Sequence, residues 1–359
     1  MPHRPVAPSV ATVVVPFDTA APPPDLTRIA PNAVLERWAA VDRTAHTPRV
    51  VAVRDDDSTA WAGAALVTAR PGAAYLKIVD AVGDVPSAVD AVVAHARERG
   101  LAQVKWEGWS VTAAQAGAAG FTPLEGPHGA PDADGPRTGY VRWSDDVRVQ
   151  EPPYYRQSTT FTCGAAVALM AQVRSGVETR ASLDRPGELA LWREATNFPA
   201  CEPVRLATAV RRAWPGSSVV VRLDVDRPIM LDAYSEDERA WRAVLQRTSR
   251  TDAAQAGVSI DGHRLDLSGL RDALVEGGQI LLLVSLKTMQ EFDVPHWVLC
   301  HGVVPGAVVL QDPWTNAATG DTWVDAHLLP VSDAALDAMS TMEWDGYRGA
   351  VHLLGPAVP

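Results

Sequence analysis

Hydrophobic positions in the first part of the chain follow two periods, and their order predicts a small domain of strands and helices. Apolar runs at 50–54, 61–69 and 73–79 are separated by a DDDST turn and a Pro-Gly turn, which predicts a meander of antiparallel strands. A helix is then predicted from Asp84 to Gly100, because apolar residues recur within it at helical spacing.

Composition marks the limits of this domain. Residues 1–30 are rich in proline and alanine, and they predict a short strand, Thr12–Val15, followed by a linker. Residues 124–150 are rich in glycine, proline and aspartate and predict a second linker that ends in a strand. We therefore predict an α/β (α+β) protein with an N-terminal segment, 1–30, and two domains, 31–145 and 146–359.

The segment 154–173, YYRQSTTFTCGAAVALMAQV, predicts a polar extended lead-in joined to a buried helix. Thr162 has an N-cap side chain, so Cys163 would lie in the first helical turn. There, free backbone N–H groups and the positive end of the helix dipole favour a thiolate. Gly164 would let a substrate backbone approach the sulfur, and Gln157 could direct its amide N–H at the same substrate atom. The alternative is a structural cysteine, since free Cys is among the most buried residue types.

A second segment adds a histidine and a carboxylate. Residues 280–286 form a continuous apolar run that predicts a buried strand, and 297–311 predict a hairpin about Pro305-Gly306. His296 opens the first arm and Asp312 closes the second, so the hairpin would bring the two side chains together at its open end. A Cys thiolate, a His base and a carboxylate that orients the His are the groups that acyl transfer through a thioester requires.

His301 competes with His296 for the role of the base. Side chains alternate between the faces of a strand, so Val298 and Cys300 share the face of His296, whereas His301 lies on the opposite face. Only His296 is also predicted to pair in register with Asp312. The sequence therefore favours His296.

These residues together resemble a known family. Gln157, Cys163-Gly164, His296-Trp297-Val298 and Asp312-Pro313 are similar to the cysteine peptidases, papain-like in fold, that remove double-glycine leaders from bacteriocins. The segments RQSTTFTCGAAVALMA and ELALWREAT resemble a bacterial subgroup that carries, or is encoded beside, an acetyltransferase-like domain. The resemblance covers roughly residues 150–315.

The resemblance implies a role for each matching residue. Cys163 would be the nucleophile, His296 the base, Asp312 the group that orients the base, and Gln157 the oxyanion-hole donor. The family usually has Gly-Pro after the Cys, whereas this chain has Gly164-Ala165; both Pro and Ala suit an early helical position.

Three residues are candidate substrate contacts: Gly164 beside the sulfur, Trp297 beside His296 in the motif, and Arg193. Arg193 would hold a substrate carboxylate, with a solvated helix face as the alternative. Residues 224–266 carry two predicted charged helices. Within them, 226–266 either cover the cleft or form a surface elaboration without function. Cys201 has no assigned role.

The N-terminal domain resembles the acetyl-CoA-dependent N-acetyltransferase fold. The resemblance lies in its element order and in a Gly120-Phe121 turn that leads into a strand. Such enzymes hold the cofactor pyrophosphate on a glycine-rich turn at a helix N-terminus. Here the turn has one glycine, the Asp84 carboxylate and Pro86, which lacks an N–H donor. The domain is therefore predicted to be degenerate and to bind no acetyl-CoA, and no cofactor is predicted for the chain.

Charge and cysteine content argue against several classes of partner and indicate a cellular compartment. The formal net charge of −11 argues against a nucleic acid or an anionic membrane surface as partner. No apolar run approaches the roughly 20 residues of a membrane span, and no metal-ligand spacing is present. Three cysteines suggest a reducing cytoplasm rather than a disulfide framework.

We therefore predict a cytoplasmic, metal-independent enzyme that cleaves or transfers an acyl group at an amide bond of a small peptide or peptide-derived metabolite. The sequence does not separate a hydrolase from an acyltransferase, and it leaves the oligomeric state open. Two alternatives are a non-catalytic module that binds a peptide or a pathway partner, and an active acetyltransferase with a structural C-terminal half.

Overall fold

The computed structural model describes residues 11–54, 59–129, 135–144, 147, 149–342 and 346–354. Residues 1–10 of the predicted N-terminal segment, and the predicted domain boundary at 145 and 146, lie outside the described residues. Two mixed sheets of seven strands each organise the chain, which confirms the predicted α/β class.

The N-terminal half forms the first sheet. Its elements are, in chain order, β1 (Thr12–Pro16), α1 (Leu26–Ile29), α2 (Asn32–Ala39), β2 (Arg49–Arg54), β3 (Trp61–Thr68), β4 (Tyr75–Gly83), α3 (Val85–Glu98), β5 (Gln103–Glu107), α4 (Ala113–Ala118), β6 (Thr122–Pro123) and β7 (Gly139–Trp143). The strand order is β1-β2-β3-β4-β5-β7-β6, and all neighbours are antiparallel except β4 and β5. The helix α3 makes the crossover that a parallel pair requires. The predicted meander is present, and the predicted strand near residue 12 is the edge of this sheet rather than part of a separate segment.

The C-terminal half forms the second sheet. Its elements are, in chain order, α5 (Cys163–Arg174), α6 (Arg185–Ala195), α7 (Pro203–Ala213), β8 (Ser218–Leu223), α8 (Glu236–Gln255), β9 (Ser259–Asp261), α9 (Leu267–Val275), β10 (Gln279–Ser285), α10 (Lys287–Gln290), β11 (Pro295–Val304), β12 (Ala307–Gln311), α11 (Trp323–Ala326), β13 (Leu329–Ser332), α12 (Asp333–Met339) and β14 (Gly349–Leu354). The strand order is β13-β12-β11-β10-β14-β8-β9, antiparallel except for β8 and β9. The apolar helix α5 packs on one face of this sheet, and α9 and α12 pack on the other.

The charged stretch before residue 266 is one long helix and one short strand, so the prediction of two helices is wrong. The helix α8 has 20 residues and begins with a capping box in which Ser235 and Glu238 satisfy each other's backbone N–H groups. Arg242 of α8 donates hydrogen bonds to the backbone carbonyls of Asn197 and Phe198. The helix therefore supports the loop between α6 and α7.

The two halves are joined by backbone hydrogen bonds. The turn between β3 and β4 lies along β13, where Ala74 N–H donates to the Pro330 carbonyl at 2.8 Å and Ser332 N–H donates to the Gly72 carbonyl at 3.0 Å. Gly72 has φ +76°, and a Cβ there would lie 2.7 Å from Cβ of Ala335. Only glycine fits this turn, which fixes its neighbours against the second sheet.

Candidate active site

Cys163 is the first residue of α5, as the sequence predicts, and its side chain is partly exposed. The preceding residue, Thr162, does not cap the helix through its side chain. Its hydroxyl instead donates to the buried Glu188 carboxylate of α6. The same carboxylate accepts the Ser158 N–H at 2.8 Å and the Tyr155 hydroxyl at 2.9 Å. Glu188 therefore holds the segment that leads to Cys163, a role that the sequence did not predict.

His296 and Asp312 are in contact at the open end of the hairpin formed by β11 and β12. His296 Nε2 lies 2.8 Å from Asp312 Oδ1, and both side chains are buried. The His296 ring is also hydrogen-bonded to the Cys163 side chain. Because Nε2 is occupied by the carboxylate, Nδ1 is the nitrogen left for the sulfur. The structure thus brings together the three residues that the sequence predicts as a triad.

A β-bulge in β11 makes this contact possible. The bulge falls between Cys300 and Gly302 and leaves His301 as the extra residue. A bulge shifts the pairing register by one residue, so residues beyond it pair with partners whose side chains lie on the other face of the sheet. With this shift, Asp312 faces the same side as His296, and the two meet diagonally. The predicted in-register pairing of His296 with Asp312 is therefore wrong, although their proximity is correct.

The charges in the triad reinforce one another. Burial disfavours the His296 imidazolium, but the Asp312 carboxylate and the hydrogen bonds to Asp312 and Cys163 outweigh it and raise the pKa of His296 to about 10. Burial likewise disfavours the Asp312 carboxylate, but the charges of His296 and Arg70 outweigh it and hold the pKa of Asp312 at about 2. At neutral pH, His296 is therefore an imidazolium between a carboxylate and a sulfur, which is the arrangement that stabilises a thiolate.

His301 does not share this environment. Its ring is buried on the other side of β11, and neither ring nitrogen has a partner within the described part of the chain. Burial and the nearby Arg174 hold the pKa of His301 well below its usual range, so the ring is neutral. The predicted alternation of faces is confirmed, because Trp297 and Leu299 pack with α5 whereas Val298 and Cys300 pack with α9.

Gln157 lies on the lead-in beside the triad. Its backbone N–H donates to the carbonyl of Pro313, the residue after Asp312, at 2.9 Å. One N–H of its side-chain amide donates to the Thr159 carbonyl at 2.7 Å. A primary amide carries two N–H groups, so one remains for a substrate oxygen.

Gly164 and Trp297, two of the predicted substrate contacts, lie in the core. Trp297 is 2% exposed, and its indole N–H donates to the Cys201 carbonyl at 2.8 Å. A Cβ on Gly164 would lie 3.1 Å from Cys201 Cβ and 3.2 Å from the Trp297 ring. These placements favour a packing role for Gly164 and Trp297. They also indicate a structural role for Cys201, because the first turn of α5 packs against it.

Arg193, the third predicted substrate contact, is exposed on α6, without a hydrogen-bond or ion-pair partner among the residues that the structure describes. Its neighbour Trp192 packs against Phe161, with ring centroids 5.0 Å apart, and against Phe198 at 6.2 Å. Phe161 and Phe198 are 40% and 58% exposed. These three aromatic side chains, which we call the aromatic strip, begin two residues from the nucleophile and were not predicted from the sequence.

Within the described ranges, no cluster of His, Cys, Asp and Glu side chains could hold a metal ion, and no helix has the length and apolar character of a membrane span. In the turn that corresponds to the pyrophosphate-binding turn of acetyltransferases, the Asp84 carboxylate accepts two hydrogen bonds. The donors are the Ser87 N–H at 3.3 Å and the Ser87 hydroxyl at 2.6 Å. The carboxylate therefore caps α3 at the position where a pyrophosphate would need free N–H groups. That the domain binds no acetyl-CoA stays a prediction.

Comparison with known proteins gives matches for both halves. A family model, described as the Peptidase_C39-like family, matches residues 152–354. A putative C39-like peptidase from Bacillus anthracis is similar in structure with 10% identity and a TM-score of 0.32, over 58% of this chain and 99% of that one. A Bacillus subtilis acetyltransferase in complex with CoA is similar with 12% identity and a TM-score of 0.26, over 38% of this chain and 100% of that one.

The Escherichia coli ribosomal-protein-S18-alanine N-acetyltransferase is similar with 13% identity and a TM-score of 0.25, over 40% of this chain and 99% of that one. No curated protein matches the chain.

Proposed function

Because the chain belongs to the Peptidase_C39-like family, we propose that it cleaves or transfers an acyl group at an amide bond, with Cys163 as nucleophile. The observation that carries this proposal is the line of contacts from Cys163 to His296 to Asp312, with 2.8 Å between His296 Nε2 and Asp312 Oδ1. The same geometry serves the same roles in unrelated folds.

Each residue has a defined step in the reaction. The Cys163 thiolate attacks the carbonyl carbon of the amide and forms a tetrahedral oxyanion. The Cys163 backbone N–H and the free N–H of the Gln157 amide stabilise that oxygen. His296 donates its proton to the leaving amine, and the C–N bond breaks to leave a thioester. His296 then accepts a proton from water as the water attacks the thioester, which releases the acid and restores the thiolate.

An amine in place of water would make the enzyme an acyltransferase, since the thioester can react with either. The family favours a peptide or a peptide-derived metabolite as the substrate. The aromatic strip is an exposed apolar surface that begins two residues before Cys163 in the chain, so we propose that the substrate carries apolar side chains near the reacting amide bond. We also propose a cytoplasmic location, because a reducing compartment would keep Cys163 and the other two free cysteines in the thiol form.

A peptide-library digest tests the proposal. Wild type is compared with Cys163→Ala, with His296→Ala, and with His301→Ala as the matched control on the same strand. We expect cleavage by wild type and by His301→Ala and none by the other two. An active His296→Ala variant beside an inactive His301→Ala variant would overturn the assignment of the base. Repeating the digest with added primary amines separates hydrolysis from acyl transfer.

The other candidate is a non-catalytic peptide-binding module. It draws on one observation, that one N–H of Gln157 is bonded to Thr159 rather than directed at a substrate. Isothermal titration with library peptides that wild type leaves uncut would identify such a module. Binding without any cleavage, by wild type and Cys163→Ala alike, favours it over the enzyme.

A further inference from the structure

A residue of the N-terminal domain reaches the triad. Arg70 follows β3 in the turn that lies along β13, and its side chain is completely buried. Among the residues described, every hydrogen bond and ion pair of its guanidinium is made with the other half of the chain. Nη1 lies 2.6 Å from Asp312 Oδ2, Nη2 lies 2.8 Å from Asp321 Oδ2 and 3.2 Å from the Trp314 carbonyl, and Nε lies 3.1 Å from Asp321 Oδ1. The triad carboxylate thus has a cationic partner from a separate sheet.

The arrangement gives each oxygen of Asp312 its own partners. Oδ1 accepts from His296 and from the Trp314 backbone N–H at 2.9 Å, whereas Oδ2 accepts from Arg70. A carboxylate held at both oxygens cannot rotate about its Cβ–Cγ bond. The guanidinium is suited to this task because it is planar, permanently charged and able to donate to two carboxylates at once.

Other contacts of Asp321 and of the turn fix the position of Arg70. Its bidentate partner Asp321 accepts hydrogen bonds from the Gln290 side chain at 2.7 Å and from the Asn316 backbone N–H at 3.1 Å. The turn that carries Arg70 is bonded to β13 through backbone atoms and closes on a glycine that no other residue can replace. A buried cation is costly unless it is fully paired, and here every contact needed for that pairing comes from the peptidase half.

We propose that Arg70 is a positioning residue of the triad, so that the acetyltransferase-like domain completes the peptidase site by holding the Asp312 carboxylate against His296. This inference rests on the proposed function. It assigns the N-terminal domain a role in the acyl-transfer reaction that requires no acetyl-CoA.

The competing explanation is that Arg70 only holds the two halves together, and Lys77 provides the matched control. Lys77 is buried in the same interface, where its ammonium pairs with Asp325, lies 2.7 Å from Glu107 Oε1 and donates to the Gly320 carbonyl at 3.2 Å. None of these partners belongs to the triad. Loss of Lys77 therefore removes a buried interfacial cation but leaves Asp312 in place.

The experiment compares Arg70→Met and Lys77→Met in the full chain. Thermal unfolding reports the structural cost of each change, and steady-state kinetics on a peptide cleaved in the library digest reports catalysis. We expect Arg70→Met to lower kcat by about 10–100-fold with KM within about twofold, since a small displacement of a catalytic group costs up to about 10²-fold. Lys77→Met should keep kcat within about twofold of wild type, even if its Tm falls by as much as that of Arg70→Met.

Two further variants keep the test decisive if Arg70→Met folds poorly. Arg70→Met with Asp321→Asn removes the cation together with the carboxylate it would leave unpaired, and it should show the same loss of kcat in a well-folded protein. Arg70→Lys keeps the charge and should recover part of the activity. Equal kcat for the double variant and Lys77→Met would overturn the inference.

A readout without substrate separates this inference from the proposed function. The imidazole N–H proton of His296 that bonds Asp312 should give a far-downfield proton resonance, which we expect to persist in Lys77→Met and to disappear in Arg70→Met. Iodoacetamide labelling of Cys163 tests the proposed function in wild type alone. If wild type shows neither rapid labelling nor cleavage, the proposed function fails. An unchanged resonance in Arg70→Met refutes the positioning role whatever wild type does.

Discussion

The Thr162 hydroxyl donates its hydrogen bond to Glu188 of α6 and accepts none from the backbone N–H groups of the helix that it precedes. This contact ties the residue before the nucleophile to a different helix. Glu188 is fully buried, and it also accepts from Ser158 and Tyr155 on the lead-in. The free N–H groups at the start of α5 are therefore not used by the usual side-chain cap, and they stay available to a negative charge at Cys163.

Removing this carboxylate should loosen the lead-in. Glu188→Ala leaves the buried Tyr155 hydroxyl without its acceptor and removes one acceptor each from the Thr162 hydroxyl and the Ser158 N–H. An unsatisfied buried group costs about 1–3 kcal/mol. We expect the free energy of unfolding to fall by about 2–4 kcal/mol, measured by urea denaturation. Glu194→Ala, on the exposed face of the same helix, should change it by no more than about 0.5 kcal/mol. Equal effects of the two substitutions would contradict the role of Glu188.

The three cysteines should differ sharply in reactivity. Burial raises the pKa of Cys300 to about 12 and raises the pKa of Cys201 well above its usual range, so both stay protonated at neutral pH. Cys163 is partly exposed, begins a helix and is hydrogen-bonded to a charged His296. We expect brief iodoacetamide treatment near pH 7 to label Cys163 first, as read by intact-protein mass spectrometry and peptide mapping. First labelling at Cys201 or Cys300 would count against an active thiolate.

The sequence predicts that Cys163, His296 and Asp312 come together, because each of them lies at a position that local patterns define. Cys163 lies where a polar segment meets an apolar helix, and His296 and Asp312 end the two arms of one hairpin. Short-range rules decide such positions. Those rules do not predict the bulge at His301. The alternation of side chains along one strand does not reveal an extra residue unless the pairing with the partner strand is known.

Contacts between distant parts of the chain could not be read from the sequence. Arg70 is separated from Asp312 by 242 positions, and nothing in the surrounding sequence distinguishes this buried arginine from arginines that lie on the surface. Trp297 and Gly164 are predicted to contact the substrate because they flank predicted catalytic residues. In the structure, the Trp297 indole N–H bonds to the Cys201 carbonyl, and Gly164 packs closely against the Cys201 side chain. A sequence motif shows where a site lies in the chain more reliably than it shows whether each residue of the motif points toward the site or into the core.

The charge on His296 predicts a pH-dependent stability. The pKa of His296 is about 10 in the folded protein and about 6.5 in the unfolded chain, so the folded state holds one more proton between these values. The resulting stabilisation is complete below pH 6.5 and is lost as the pH rises toward 10. We expect the unfolding free energy of Cys163→Ala to fall as the pH rises above 6.5, by up to about 1.4 kcal/mol per pH unit, relative to Cys163→Ala with His296→Asn.

The Cys163→Ala background is needed because a thiolate and an imidazolium together hold as many protons as a thiol and a neutral imidazole. The Cys163→Ala background therefore isolates the proton on His296. The Asp312 carboxylate, which is the strongest influence raising the His296 pKa, is unchanged in this background. Parallel pH profiles for the two proteins in chemical denaturation would show that His296 is not charged in the fold.

Gln157 distinguishes a catalytic site from a binding site of the same shape. Its backbone bond to Pro313 fixes it beside Asp312, and its amide has one N–H on the Thr159 carbonyl and another free. A binding module gains little from that free N–H, whereas an acyl-transfer reaction needs it most when charge builds on the carbonyl oxygen. Gln157→Ala should therefore lower kcat by about 10²–10³ with little change in KM.

Gln157→Glu should be slower still, because a carboxylate repels the developing oxyanion although it has the shape of the amide. The thiolate itself depends on His296 and the start of α5, so iodoacetamide labelling of Cys163 should stay within a few-fold of wild type in both variants. A parallel fall in labelling and in kcat would instead show that Gln157 supports the fold of the lead-in. If both variants turn over the substrate at the wild-type rate, Gln157 is not an oxyanion donor, and the backbone N–H of Cys163 must stabilise the oxyanion without it.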